Sequence, residues 1–126
     1  MTRPLDRFTD QRNALLTTYK RDGTPVGTPV HVAVRDGRAY VRTYGKAWKW
    51  RRVRNHPDCE IAPSTLRGRP TGAAVAVRGR ILEGDEASHA ARALATKYPV
   101  LHGMLIPRVH RLMRTPTIHI ELVARS

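Results

Sequence analysis

A chain of 126 residues, 40% apolar and 26% charged, has the size of one domain and enough apolar content for a packed core, which excludes a disordered chain. Its 23 Lys and Arg against 10 Asp and Glu give a formal charge of +13, and 19 of the 23 cations are arginine, so an anionic partner is expected. The one cysteine, Cys59, excludes an internal disulfide and a multi-cysteine metal site, and no run approaches the roughly 18 apolar residues of a membrane span.

Residues 1–126 therefore read as a single domain. Met1-Thr2-Arg3-Pro4-Leu5-Asp6 leads into no apolar segment of the signal-peptide kind, so a cytoplasmic protein is expected. The cations are spread along the chain rather than gathered in a block. That weighs against a nucleic-acid-binding tail and suits a phosphate-bearing cofactor.

Strand patterning begins at Ala14-Leu15-Leu16-Thr17-Thr18-Tyr19 and turns at Asp22-Gly23. In the run that follows, Val26, Thr28, Val30, Val32 and Val34 alternate and project from one face of a strand. Pro29 points to an edge or a bulge there. Asp36-Gly37 joins the run to Arg38-Ala39-Tyr40-Val41-Arg42-Thr43 as a hairpin, so residues 14–44 read as a three-stranded meander.

After Gly45 the period becomes helical. The segment from Lys46 to His56 has neither Gly nor Pro and stops at Pro57. Ala47, Trp50 and Val53 form the face toward the sheet, and Lys49 and Arg52 lie beside it. A strand end, a Gly turn and a basic helix start suit a phosphate. A solvated basic helix resting two tryptophans on the sheet accounts for the same pattern.

Cys59 to Pro63 is a fourth strand, Ser64 to Gly72 a polar loop, and Ala73 to Leu82 a longer strand in which Gly79 marks a bulge or sharp bend. A helix starts at Asp85, carries Ala87, Ala90, Ala91, Leu94 and Tyr98 on one face, and ends at Pro99. Val100 to Met113 is a helical stretch broken by Pro107, and Ile118, Ile120, Leu122 and Ala124 alternate in a last strand. Six strands without regular βα alternation describe an α+β barrel or sandwich.

The hydrolase and nucleotide-binding signatures are missing, and no two of the six histidines stand at a helical i, i+4 or a strand i, i+2 spacing, so no metal site is expected. The residues then carry a resemblance. Leu15-Thr17-Thr18 with Arg21-Asp22-Gly23-Thr24-Pro25-Val26-Gly27-Thr28-Pro29-Val30 is the first stretch. The second is Tyr40-Val41-Arg42-Thr43 with Lys49, Val53, Asn55 and Pro57, and the third is Ile61-Ala62-Pro63 with Leu66-Arg67-Gly68-Arg69-Pro70-Thr71-Gly72. In order and spacing they resemble the pyridoxamine 5′-phosphate oxidase-like split-barrel superfamily, and within it the flavin/deazaflavin oxidoreductases that depend on coenzyme F420.

The resemblance implies a six-stranded antiparallel split β-barrel of the FMN-binding kind, with short peripheral helices. It implies a homodimer with a cofactor site at the subunit interface, binding coenzyme F420 or FMN. The activity it implies is hydride transfer to a small conjugated organic substrate. By position, Thr43, Lys49 and Arg52 match the family's phosphate contacts, and Ala62 and Pro63 match the strand beside the cofactor ring. Arg67, Gly68 and Thr71 match the loop that closes over it. Trp48 and Trp50 depart from the family pattern, in which smaller or polar residues are usual. An alternative within the same fold is a non-catalytic carrier of flavin, haem or a tetrapyrrole product.

Overall fold

The computed structural model describes residues 3–44, 48–99 and 117–125, and for Tyr44, Trp48 and Lys49 it describes the backbone alone. The strands are β1 (Ala14–Tyr19), β2 (Pro25–Val30), β3 (Ala33–Arg35), β4 (Arg38–Tyr44), β5 (Asp58–Pro63), β6 (Val75–Leu82) and β7 (Thr117–Ala124). The helices are α1 (Trp48–Asn55) and α2 (Gly84–Lys97), preceded by a 3-10 turn at Pro4–Phe8. All strands join one antiparallel sheet in the order β2-β1-β5-β6-β7-β4-β3.

The two edges of that sheet, β2 and β3, are separated in the chain by His31 and Val32 alone. Three residue steps reach at most about 11 Å, so the edges must approach each other and the sheet must curl into an incompletely closed barrel. The architecture is α+β, as read from the sequence, but the strand count is seven rather than six. The run from Val26 to Val34 is two strands. Val30, Val32 and Val34 all face the same core, so the alternation passes unbroken through the point where the backbone changes its hydrogen-bonding partner from β1 to β4. Residues 14–44 thus supply both edges of the sheet instead of a meander. Pro29, which lacks an N–H to donate, sits on the edge strand β2 as its chemistry requires.

Inside the curl, Ala14 and Leu16 of β1 meet Ala39 and Val41 of β4, Cys59 and Ile61 of β5, Val77 of β6, and Ile120 and Leu122 of β7. Leu5 and Phe8 of the 3-10 turn join this cluster fully buried, and so does Val53 of α1. Each buried Val, Leu, Ile or Phe among them stabilises the fold by about 1.5–3 kcal/mol. Gly79 is what lets α1 approach. A Cβ there would lie 2.6 Å from Val53 Cγ1, so the missing side chain makes room for the helix rather than for a bulge. A second cluster on the outer face, Ala33, Tyr40, Leu82, Ala90, Ala93, Leu94 and Tyr98, seats α2.

The two hairpins follow their turn chemistry. Asp36 and Gly37 both have positive φ, 53° and 77°, which matches an Asp-Gly turn between twisted strands. At the first turn Gly23 has φ 86° and the Asp22 carboxylate accepts from the Thr24 N–H at 2.9 Å.

The end of α2 is tied to the N-terminal segment. Lys97 Nζ donates to three carbonyl oxygens, of Phe8 at 2.8 Å, Gln11 at 2.6 Å and Val32 at 2.7 Å. Burial lowers its pKa to about 8, so at neutral pH the ammonium keeps all three protons and uses each of them. The Tyr98 hydroxyl donates to the Arg12 carbonyl at 2.7 Å, and His31 stacks on the Tyr98 ring with centroids 4.7 Å apart. The strap thus formed joins Phe8–Arg12, the β2–β3 link and the end of α2.

The predicted helix from Lys46 to His56 is seen from Trp48 to Asn55, and the strand Cys59–Pro63 begins one residue earlier. The segment from Val100 to Met113 lies outside the described residues.

Candidate functional site

Alternation along β1 sends Ala14, Leu16 and Thr18 inward and Leu15, Thr17 and Tyr19 outward. Where β1 ends, the turn carries Lys20 and Arg21, and α1 crosses the same end of the barrel. Between them lies a cavity of about 710 Å³, lined on one side by Tyr19, Lys20 and Arg21 and on the other by Arg51, Arg52, Arg54, Asn55 and His56. Among the described residues no carboxylate lines it. The helix adds to the charge, since it has no acidic residue in its first turn and carries Arg52 and Arg54 in its last.

Arg52 is held in place by the barrel. Its Nε donates to the Thr18 hydroxyl at 2.7 Å, and burial lowers its pKa from the usual arginine value. Thr18 is itself fully buried, so the contact fixes the guanidinium at the barrel end. Trp50 packs against the core with two guanidiniums over its ring, Arg51 at 5.5 Å and Arg54 at 5.1 Å. These cation–π contacts orient Arg51 and Arg54 beside the cavity at little entropic cost. Of the two tryptophans, Trp50 is thus a core aromatic; the side chain of Trp48 lies outside the described residues.

The other predicted site residues fall in two places. Thr43 faces the barrel interior on β4, 4% exposed, and its Oγ1 is buried with no hydrogen-bond partner among the described residues. Lys49 is on the first turn of α1, and its side chain lies outside the described residues. Ala62 and Pro63 pair with Leu15 and Ala14 across β5 and β1. The loop after them folds back on itself: Ser64 bridges Pro70, and the Thr71 N–H donates to the Pro63 carbonyl at 2.8 Å. Gly68 has φ +88°, and a Cβ there would lie 2.9 Å from Pro29 Cγ, so the loop lies flat on β2 and β1. Arg67 stands exposed on that loop beside Leu66, which is 74% exposed.

The structure therefore brings Ala62, Pro63, Gly68 and Thr71 together over β1, β2 and β5, with Arg67 on the same loop. Arg52 is the one predicted residue that lines the basic cavity. Sequence reasoning missed Tyr19, Lys20, Arg21, Arg51, Arg54 and His56. The adjacent cations Lys20-Arg21 just before Asp22-Gly23 are the signal that could have placed a turn beside the basic helix. Among the described residues no group of three or more metal-ligating side chains gathers, and no helix is long and apolar enough to cross a membrane.

No protein-family model matches the sequence, and comparison with curated proteins gives no match. Solved structures do match over nearly the whole chain. The haem storage protein HutZ of Vibrio cholerae shares 11% identity at a TM-score of 0.70, covering 97% of this chain and 88% of its own. A Listeria innocua protein named as a candidate pyridoxamine 5′-phosphate oxidase shares 14% identity at a TM-score of 0.65, covering 97% and 90%. The fold is the pyridoxamine 5′-phosphate oxidase-like split barrel. An FAD-binding protein from Mesorhizobium loti shares it too, at 15% identity and a TM-score of 0.68, covering 94% of this chain and 85% of its own. Split barrels of this shape thus include proteins named for flavin binding and for haem storage, and the residues of the present one decide between those chemistries.

Proposed function

We propose that this split barrel is an oxidoreductase that binds coenzyme F420 or FMN and transfers hydride to a small conjugated organic molecule, with the cofactor held between two copies of the chain. The observation that carries the reading is the cavity of about 710 Å³ at the end of β1, rich in cations and free of carboxylates among the described residues. Its size suits a small-molecule ligand and its donors suit a phosphate. The residues present fit such a group. Arg52, pre-positioned by Thr18, is the predicted residue that lines the cavity.

In this reading Lys49 and Arg52 of α1 are the phosphate contacts, while Thr43, matched to the same role by position, is buried on β4 and does not line the cavity. Ala62 and Pro63 give a flat surface for the ring, and Arg67, Gly68 and Thr71 form the loop over it. A bound cofactor would supply the hydride chemistry, while the chain anchors the anion, orients the ring and limits water. The number of cations favours F420, whose phosphodiester and polyglutamate tail carry several negative charges. A non-catalytic carrier of flavin or haem is the second reading, supported by the likeness to HutZ.

The test is equilibrium binding of F420, FMN and haem side by side at low and moderate salt, followed through the fluorescence of the two tryptophans of α1. Micromolar or tighter binding of F420 or FMN, kept at moderate salt, supports the cofactor reading; chemically pre-reduced F420 or FMN oxidised by a quinone or nitro compound faster with the protein than without it supports the enzyme. Binding of haem alone would replace the oxidoreductase with the carrier.

A further inference from the structure

A second cavity, of about 440 Å³, opens on the outer face of the sheet where the β3–β4 turn meets the start of α2. It sits at the opposite end of β4 from Thr43 and shares no residue with the basic cavity. In a chain of net charge +13 its lining is acidic, with Asp36, Asp85, Glu86 and Glu121 against Arg38.

The ion pairs divide those carboxylates into two kinds. Glu121, 5% exposed, is held between Arg38 at 3.2 Å and Arg80 at 3.3 Å. Glu86 accepts from both terminal nitrogens of Arg80. These two carboxylates and two guanidiniums neutralise one another. The carboxylates of Asp36 and Asp85 make no ion pair among the described residues.

Tyr40 is the independent sign of a ligand. It lines the cavity and is 5% exposed, with its ring packed against α2 and edge-on to His89 at 5.6 Å between centroids. A buried phenol ordinarily pairs its hydroxyl, but among the described residues this one has no hydrogen-bond partner. Burial and then the Glu121 carboxylate raise its pKa, so it is neutral at physiological pH. The charges acting on that hydroxyl include Glu121, Arg38 and Asp36, all residues of the lining, which places the hydroxyl at the cavity.

We propose that this cavity binds a short organic diamine, one ammonium at Asp36 and the other at Asp85, with an N–H of the ligand donating to Tyr40 Oη. The spare groups of the lining are acceptors, and an ammonium has only donors to offer. The two unpaired carboxylates come from different elements, so a ligand must carry two charges on one chain to use both. A bare divalent ion fits less well, since among the described residues no three metal-ligating side chains gather. The positive field of the rest of the chain repels cations, so binding depends on these local contacts.

The experiment follows the backbone N–H signals of the isotope-labelled full chain by NMR. The titrants are putrescine, butylamine, which carries one ammonium on the same carbon chain, and magnesium chloride, all at constant ionic strength. Putrescine should move the signals of residues 36–40 and 85–89 with a Kd of about 1 mM or tighter. Butylamine should bind about fivefold more weakly, the worth of one exposed ion pair. Asp36→Asn should bring putrescine down to the butylamine affinity, and it keeps the turn because asparagine tolerates the positive φ there. Tyr40→Phe keeps the packed ring and should weaken both amines about fivefold.

Signals that stay still, or equal affinity for the two amines, overturn the proposal even if neither variant folds. So does magnesium moving the same signals as tightly as putrescine, which would make the patch a diffuse acidic surface. Putrescine affinity that survives Asp36→Asn or Tyr40→Phe unchanged overturns it as well.

Discussion

Replacing Lys97 with Met keeps most of the aliphatic stem and removes the ammonium that joins Phe8, Gln11 and Val32. A hydrogen bond from a charged donor contributes about 1.5–3 kcal/mol net, but the three acceptors do not lose equally. The Phe8 carbonyl still accepts from the Gln11 N–H at 3.2 Å, whereas the Val32 carbonyl is left with a 3.2 Å contact to the Tyr98 hydroxyl, whose one proton goes to the Arg12 carbonyl at 2.7 Å. Among the described residues the Gln11 carbonyl likewise keeps only a 3.5 Å contact to that hydroxyl. Relief from holding a desolvated charge offsets part of the rest. The expected loss is about 2–4 kcal/mol, a large part of the stability of an ordinary domain. For a chain of this size that lowers Tm by about 8–15 °C. Urea unfolding followed by far-UV circular dichroism measures it. Limited proteolysis should find the segment around Phe8–Arg12 cut earlier in the variant than in the wild type. A midpoint that moves by less than about 0.5 kcal/mol would refute the account of the strap as a stabilising element.

Four further variants have expected outcomes. Arg52→Ala should weaken FMN or F420 binding by about 1.5–3 kcal/mol, and Lys49→Ala by a similar amount, read as the shift in Kd. Gly79→Ala should cost about 1–3 kcal/mol of stability, because its Cβ collides with Val53, and should loosen cofactor binding by displacing α1. Burial, with Arg12 and Lys97 nearby, holds the His31 pKa below its ordinary 6.5, so the unfolded chain binds that proton more tightly than the folded one. Stability should therefore fall as pH drops below 6.5, and His31→Gln should flatten the urea midpoint between about pH 7 and pH 5.5.

Much of the fold was legible because alternation and turn chemistry are local. Asp36-Gly37, the stop before Pro57 and the periodic face of α2 each declare themselves within a few residues. The break at His31 and Val32 was not legible, since it changes the pairing partner without changing which side chains face inward. The inward plug of Leu5 and Phe8 escaped for a related reason: two apolar residues in a polar segment have no period to detect. At the site, Arg52 was readable from its place on the helix, while its partner Thr18 becomes visible only once β1 and α1 share a barrel end. Asp36 and Asp85 stand on different elements, and only the seating of α2 on β4 brings them to one cavity.

The place of β7 between β6 and β4 has a consequence for how the protein is made. During synthesis β4 emerges more than seventy residues before the strand that must lie beside it. Until residues 117–124 leave the ribosome, β4 and β6 each present an unsatisfied backbone edge, and the curl cannot close. Cooperative folding must then wait for the last strand, and the nascent chain carries two sticky edges for several seconds at ordinary translation rates. Slowing the ribosome over the segment before β7 would lengthen that exposure and raise the fraction lost to aggregation, with no change in the stability of the finished barrel.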